Sequence, residues 1–346
     1  MLEKLFQKIS LLSASLVLVI LVGIFTTLFL AAKPAIDEYG LGFITEKAWD
    51  QEVPLSQDQA TQNVDDIAVG SAEDLADDTA IADEDDMITD EDDVIIDEDD
   101  AGDDAILMDD EDEASNATKT IYGGLVPIVG TLLTTLIALV FAVPIAMGIA
   151  IFLSEIAPKN ISNVVGIAIE LLAAIPSIIF GMWGLYYFAP IVSDLFGGYQ
   201  VSLLTAGLVL GVMILPFMAA ITRDSMNTTP NVLKESAYAM GATKFEVIKD
   251  VIFPYSKVGI IGSIILALGR ALGETMAVAF LIGSIFSLPQ KITDPTISIP
   301  VALANNFGEA SGLGESALFY LALILFIISF AIISFAKFYF LKRVKK

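Results

Sequence analysis

The chain has 346 residues, a mean hydropathy of +0.73 and a formal net charge of −25. It contains no Cys and no His, which excludes disulfides, Cys/His zinc sites, a cysteine nucleophile and a Ser-His triad. No glycine precedes a lysine, so there is no GxxxxGK[ST] phosphate loop, and any ATP this protein uses must be hydrolysed by another chain. No basic patch suits nucleic acid.

The charge is concentrated. Residues 50–118 hold 28 of the 43 Asp and Glu and no Lys or Arg. The remainder is near neutral and very apolar, as membrane proteins are. Six apolar runs are long enough to span a bilayer, near 10–32, 123–153, 162–190, 201–222, 257–286 and 315–341. Pro127, Pro144, Pro176 and Pro216 predict kinks or breaks within them. The first run is longer than the roughly 7–15 residues of a signal core, so it reads as an uncleaved anchor.

With both termini in the cytoplasm, thirteen Lys and Arg lie inside and four outside, with Arg270 in a span. The acidic block then falls outside, between the first two spans. It repeats DEDDMIT, DEDDVII and DEDDAGD and has too few apolar side chains to bury a core, so disorder is expected. Its nearest approach to an EF-hand fails at Ala101 and Met108. A solvated tether and a specific metal or partner site are the two readings of this block.

Residues 223–256 form the longest inside loop. Thr229-Pro230 predicts a helix N-cap and a proline at the first helical position. Gly241 ends that helix. Thr243 and Glu246 have capping-box spacing and open a second short helix, which Pro254 is expected to stop. Ala237, Met240 and Phe245 form an apolar knob, and Lys234, Glu235, Lys244, Glu246 and Lys249 keep it soluble. Such a knob suits a groove on a cytoplasmic partner, or equally an interfacial helix pair against headgroups.

Arg270 and Glu274 are four residues apart in the fifth run, which predicts one helix face. Arg270 is 13 residues past Lys257, about 20 Å of helical rise, and so lies deep in the bilayer. Intramembrane charges face a cavity or a partner. The pair either lines an anion path or locks two subunits together. Glu170, near the inner surface, reads as solvated, with a place on the pathway as the alternative. Arg223 and Asp224 read as an interfacial pair.

The motif Glu235-Ser236-Ala237, then Gly241, then Val251-x-Phe253-Pro254 resembles the EAA loop of binding-protein-dependent ABC importer permeases, and its spacing agrees throughout. The runs 168–186, 235–248 and 268–283 resemble phosphate-transport permeases of the PstC type, with Ser236, Val251 and Phe253 departing mildly from the loop's usual residues. The resemblance covers 1–52 and 119–346. It implies an all-α integral membrane fold, the type I ABC importer permease fold, with six transmembrane helices. On this reading 1–52 carry the N-terminus, first span and start of the outer loop, 53–118 form the acidic insert, and 119–346 form the permease core.

The resemblance also implies that Glu235, Ala237, Gly241, Ala242, Phe245 and Pro254 belong to a coupling loop that docks on an ATPase. The implied partners are a second permease subunit as heterodimer, two ATPase subunits that bind ATP and Mg, a phosphate-binding protein outside the membrane, and the lipid bilayer of the bacterial cytoplasmic (inner) membrane. The chain itself carries no cofactor, no metal site and no catalytic residue on this reading. Transport of sulfate or molybdate, or action as an ATPase-independent transporter or channel, are the rival functions.

Overall fold

A computed structural model of the chain describes residues 2–54 and 118–344. The acidic block, its repeats and its imperfect calcium pattern lie outside these residues. Among the described residues, six helical stretches are long and apolar enough to cross a membrane: Leu5–Ile44, Leu125–Ile156, Ser177–Phe196, Leu203–Asn227, Lys244–Leu272 and Gly312–Phe338.

The helices belong to one unit, residues 1–49 and 122–346. In chain order they are α1 (Leu2–Tyr39), α2 (Leu125–Ile151), α3 (Lys159–Ala173), α4 (Ser177–Trp183), α5 (Ala189–Phe196), α6 (Leu203–Asn227), α7 (Asn231–Ala239), α8 (Lys244–Glu246), α9 (Phe253–Leu272), α10 (Met276–Ala279), α11 (Ile299–Asn306) and α12 (Gly312–Val344). In the second unit, Asp50–Ile121, the described residues belong to two paired strands, β1 (Trp49–Pro54) and β2 (Thr118–Tyr122).

Two predicted spans need correction. The third does not run from 162 to 190. The chain breaks at Ala174–Pro176, because proline cannot continue a helix and biases the residue before it away from helical backbone. α3 is a separate, largely exposed helix, and the span begins at Ser177. The fifth span does not reach 286. Its helix starts at Lys244 and ends at Leu272, with Gly273 as its C-cap.

α2 and α6 form the centre of the core, and small residues bring their backbones together, as membrane helices require. Ala138, Ala142 and Ala146 are fully buried on α2. Opposite them, a Cβ on Gly207 would lie 2.6 Å from Ile137, and one on Gly211 would lie 2.8 Å from Phe141. α1 packs on α12, but Leu11, Leu12, Val17 and Leu18 stay exposed, as a lipid-facing surface would be. Phe43 stacks on Tyr320 with ring centroids 4.6 Å apart, closing one end of this pair.

Residues 273–298 are mostly non-helical, and Leu281, Ile282 and Ile297 within them are fully buried. Irregular backbone at membrane depth is tolerated only where protein supplies its hydrogen bonds. Here the start of α6 does so: Ser202, Leu203 and Leu204 N–H groups donate to the carbonyls of Leu281, Asp294 and Ile292 at 2.8, 3.0 and 2.8 Å. Ile299 N–H donates to Thr131 Oγ1 on α2 at 2.8 Å. A helix N-terminus has orphan donors and a loop has orphan acceptors, and each satisfies the other.

Gly130 makes this contact possible, since a Cβ there would sit 2.0 Å from the Ile297 carbonyl oxygen. Gly130→Ala is therefore expected to cost about 1–3 kcal/mol, read as a lowered thermal-unfolding midpoint of the protein in detergent. Gly148→Ala, on the same helix with nothing within 4 Å of the added carbon, is the control and should leave the midpoint unchanged or raise it.

Candidate functional site

The segment 231–254 folds as a compact cap at one end of the helices. α7 starts one residue later than the sequence suggests. Pro230 is its N-cap, and Thr229 accepts no capping bond: its hydroxyl is buried without a partner. Its other end follows the glycine rule closely. Gly241 adopts φ +90°, Gly241 N–H donates to Tyr238 O at 2.9 Å, and Ala242 N–H donates to Ala237 O at 3.1 Å. These are the two bonds of a Schellman cap. The capping box also forms: Thr243 N–H donates to Glu246 Oε2 at 2.7 Å, and Glu246 N–H donates to Thr243 Oγ1 at 3.4 Å.

Pro254 does not stop the second helix, as the sequence suggests. α8 passes through a π-turn at Val247–Ile252 directly into α9, and Pro254 falls in the first turn of α9. The π-turn loosens the ladder just before Pro254, and a proline is accommodated at such an irregularity without ending the helix. The second half of the cap and the fifth span are one continuous helix from Lys244 to Leu272.

The apolar knob also needs correction. Ala237 does not point outward. It is 6% exposed and packs with Ala150 of α2, Met226 of α6, Val247 and Ile252 of the π-turn, and Ile260 of α9. The outward residues are Met240 and Phe245, 83% and 71% exposed. Glu235 is exposed beside them, and Ala242 is half-buried against the inner cluster. One face of the cap thus joins an apolar cluster with residues of three long helices, and the other face is exposed.

Two ion-pair sets brace the same end. Lys234 Nζ lies 2.5 Å from Glu155 Oε1, at the π-turn that ends α2, and both side chains are largely buried. The sequence reading assigned no role to Glu155. Its signal was a lone carboxylate at the inner end of the second span, 79 residues from its partner. Arg223 pairs with Asp224 at 2.9 Å, as expected, and also reaches Glu170 on α3 at 3.1 Å. Glu170 is thus an ion-pair partner rather than merely solvated. Gly166 makes the pairing possible, since a Cβ there would sit 2.3 Å from Arg223 Nη1.

Arg270 and Glu274 do not share a helix face. Arg270 is in the last turn of α9, and Glu274 lies beyond its glycine end. No ion pair joins them. Arg270 is exposed on the chain surface, with its guanidinium carbon 6.0 Å from the centre of the Phe217 ring, at the limit of a cation–π contact. Glu274 is half-buried and accepts the Ala277 N–H at 3.3 Å, so it caps the short α10.

Residues 142–346 match the family described as binding-protein-dependent transport system inner membrane component. The chain is 49% identical over 251 residues to the phosphate transport system permease protein PstC of Pasteurella multocida, covering 67% of this chain and 78% of the relative. It is 50% identical over 228 residues to PstC of Haemophilus influenzae, covering 60% and 72%. A probable PstC of Methanocaldococcus jannaschii is 37% identical over 250 residues, covering 66% and 78%. Among solved structures, a chain of the MetNI methionine ABC transporter in inward-facing form superposes with a TM-score of 0.52 at 19% identity, covering 64% of this chain and 95% of that one, a likeness of fold. The chain belongs to the family of inner-membrane components of binding-protein-dependent transport systems.

Proposed function

We propose that the chain is the membrane permease subunit of an ATP-driven importer of inorganic phosphate. The observation that carries this reading is the two-faced cap, with Ala237 buried in one apolar cluster with residues of α2, α6 and α9 while Met240 and Phe245 are exposed. The names of the relatives support phosphate as the cargo. The chain sits in a bacterial cytoplasmic membrane with both termini inside. A second permease subunit completes the channel, two ATPase subunits bind ATP and Mg²⁺ below it, and a phosphate-binding protein delivers from outside.

The chain's work is conformational. Closure of the ATPase dimer moves the cap through Met240 and Phe245. Because the cap continues as α9, the push passes along one helix to Arg270. Lys234–Glu155 carries the same displacement to α2. Tilting α2, α6 and α9 together opens the path on the other side, a rigid-body transition biased by nucleotide. Arg270 supplies fork-shaped donors for a phosphate's paired oxygens. Glu274 offers a carboxylate to a protonated phosphate oxygen, which sulfate lacks near neutral pH.

The direct test is ATP hydrolysis by the full complex in liposomes with its binding protein. Hydrolysis should rise with phosphate, and a complex that ignores phosphate while responding to another oxyanion contradicts the reading. Glu155→Lys should break phosphate uptake from ATP hydrolysis, and adding Lys234→Glu should recover it with a coupling energy of about 1–3 kcal/mol; independent, additive defects would remove the strut. Arg270→Lys keeps the charge but loses the fork, and is expected to lower phosphate turnover about tenfold. Glu274→Gln should reduce discrimination against sulfate. Unchanged flux and selectivity in both variants would remove these residues from the path.

A further inference from the structure

A small cavity of about 10 Å³ lies between α2, the end of α9 and the start of α11, with Thr131, Thr134, Thr135, Glu274 and Ser298 on its polar side and apolar residues such as Leu210 and Leu272 on the other. Its hydroxyls are not equivalent. Thr131 and Thr134 donate to the carbonyls four residues back, both at 2.7 Å, as threonines in helices commonly do. Thr135 does not. Ser298 is the N-cap of α11, yet its hydroxyl makes no cap bond. Thr135 Oγ1 and Ser298 Oγ are both buried without a partner, in residues only 5% and 3% exposed. Buried hydroxyls without partners are rare and destabilising, and here two of them line one cavity beside a carboxylate.

The cavity is at the lower limit for one water, which needs roughly 10–15 Å³ and two to four polar partners. Thr135 and Ser298 hydroxyls donate, and Glu274 accepts. The group that matches all three is an O–H oxygen, which accepts and donates at once. Glu274 also stands between Gly273 and Thr275, which border a cleft of about 580 Å³, and Pro300 lines both spaces. That cleft is lined mostly by apolar side chains of α1, α11 and α12, so the polar groups at this junction are those of the cavity, which admits one oxygen.

We propose that Thr135, Ser298 and Glu274 form a subsite for a single hydroxyl oxygen, held by a water at rest and by the P–OH of the transported anion during passage. The second half of this statement rests on the phosphate reading above. A protonated phosphate donates its P–OH to Glu274 and accepts from Thr135 or Ser298. A sulfate oxygen near neutral pH has no proton to donate, so it would face the carboxylate acceptor to acceptor. The hydroxyls therefore select for a protonated oxyanion, and Glu274 reads the proton.

The test uses the detergent-solubilised permease–ATPase complex without its binding protein, so that selectivity belongs to the membrane subunits. Radiolabelled phosphate is bound and displaced with sulfate. Thr135→Val and Ser298→Ala should each lower the preference for phosphate over sulfate about tenfold, the worth of a hydrogen bond to a charged ligand. Thr135→Ser should restore it. The unfolding midpoint should stay close to the parent's, because each substitution removes only a hydrogen bond to a displaceable water. A preference within twofold of the parent in both variants, or a Thr135→Ser defect equal to that of Thr135→Val, overturns the proposal. If the parent binds neither anion, the phosphate reading fails separately. The subsite is then decided by a density map of the parent complex: one water bonded to Thr135, Ser298 and Glu274 supports it, and a dry cavity overturns it.

Discussion

A hydrocarbon layer offers no hydrogen bonds, so each polar group placed in it must find a partner in the protein or in water. Most of this fold obeys that rule visibly. The first N–H groups of α6 meet the carbonyls of the irregular segment after α9, and Thr131 meets Ile299. Gly130, Gly207 and Gly211 let the backbones come close enough for such contacts and for dense packing. Against this background the groups left over stand out. Arg270 is an exposed cation far along a membrane helix, and Thr135 and Ser298 hold unused hydroxyls beside Glu274. Thr229 is left in the same way at the other end of the helices, but the groups gathered around the end of α9 are the ones the proposed phosphate path would use.

In the proposed mechanism, the opposite end of the helices is where such a site is moved. The cap is not an appendage on a flexible loop. Its first helix is pinned by Ala237 in a small apolar cluster and by Lys234 on Glu155, and its second part is the beginning of α9. A glycine in the left-handed region at 241 joins the two halves with both Schellman bonds made. Docking force applied at Met240 and Phe245 therefore has a stiff route to the helix that carries Arg270. Ala237 shows why a small residue suits the buried position: dense interiors respond to changes of a single methylene, and a larger side chain would lift the cap from its seat.

Much of this was legible in the sequence. Hydropathy located all six spans, and glycine and capping-box chemistry located the turn and the second helix start. The errors have physical causes. Pro254 was expected to end a helix, but the π-turn before it accommodates the proline and carries the chain through. Arg270 and Glu274 were given helical periodicity across Gly273, where the helix stops and turns Glu274 toward α10. Thr229 lost its capping role because its helix begins one residue later. Glu155 and Glu170 were not matched to Lys234 and Arg223, because local patterns carry no information about partners 79 and 53 residues away. The hydroxyl pair at Thr135 and Ser298 is likewise visible only in three dimensions.

The account stands on the claim that the Arg270 end of α9 borders water within the assembled transporter. The absence of native cysteine permits a clean measurement. Gly273 sits between Arg270 and Glu274, has ordinary backbone at φ −96°, and has nothing nearer than 3.9 Å to an added Cβ. In the full complex, a Gly273→Cys thiol should react with a membrane-impermeant maleimide, at rates that differ between nucleotide-free and ATP-bound states, and phosphate should slow that reaction. Reaction only with a lipid-soluble reagent, or with neither reagent in any state, would place this end of the helix in lipid or dry protein and contradict the account.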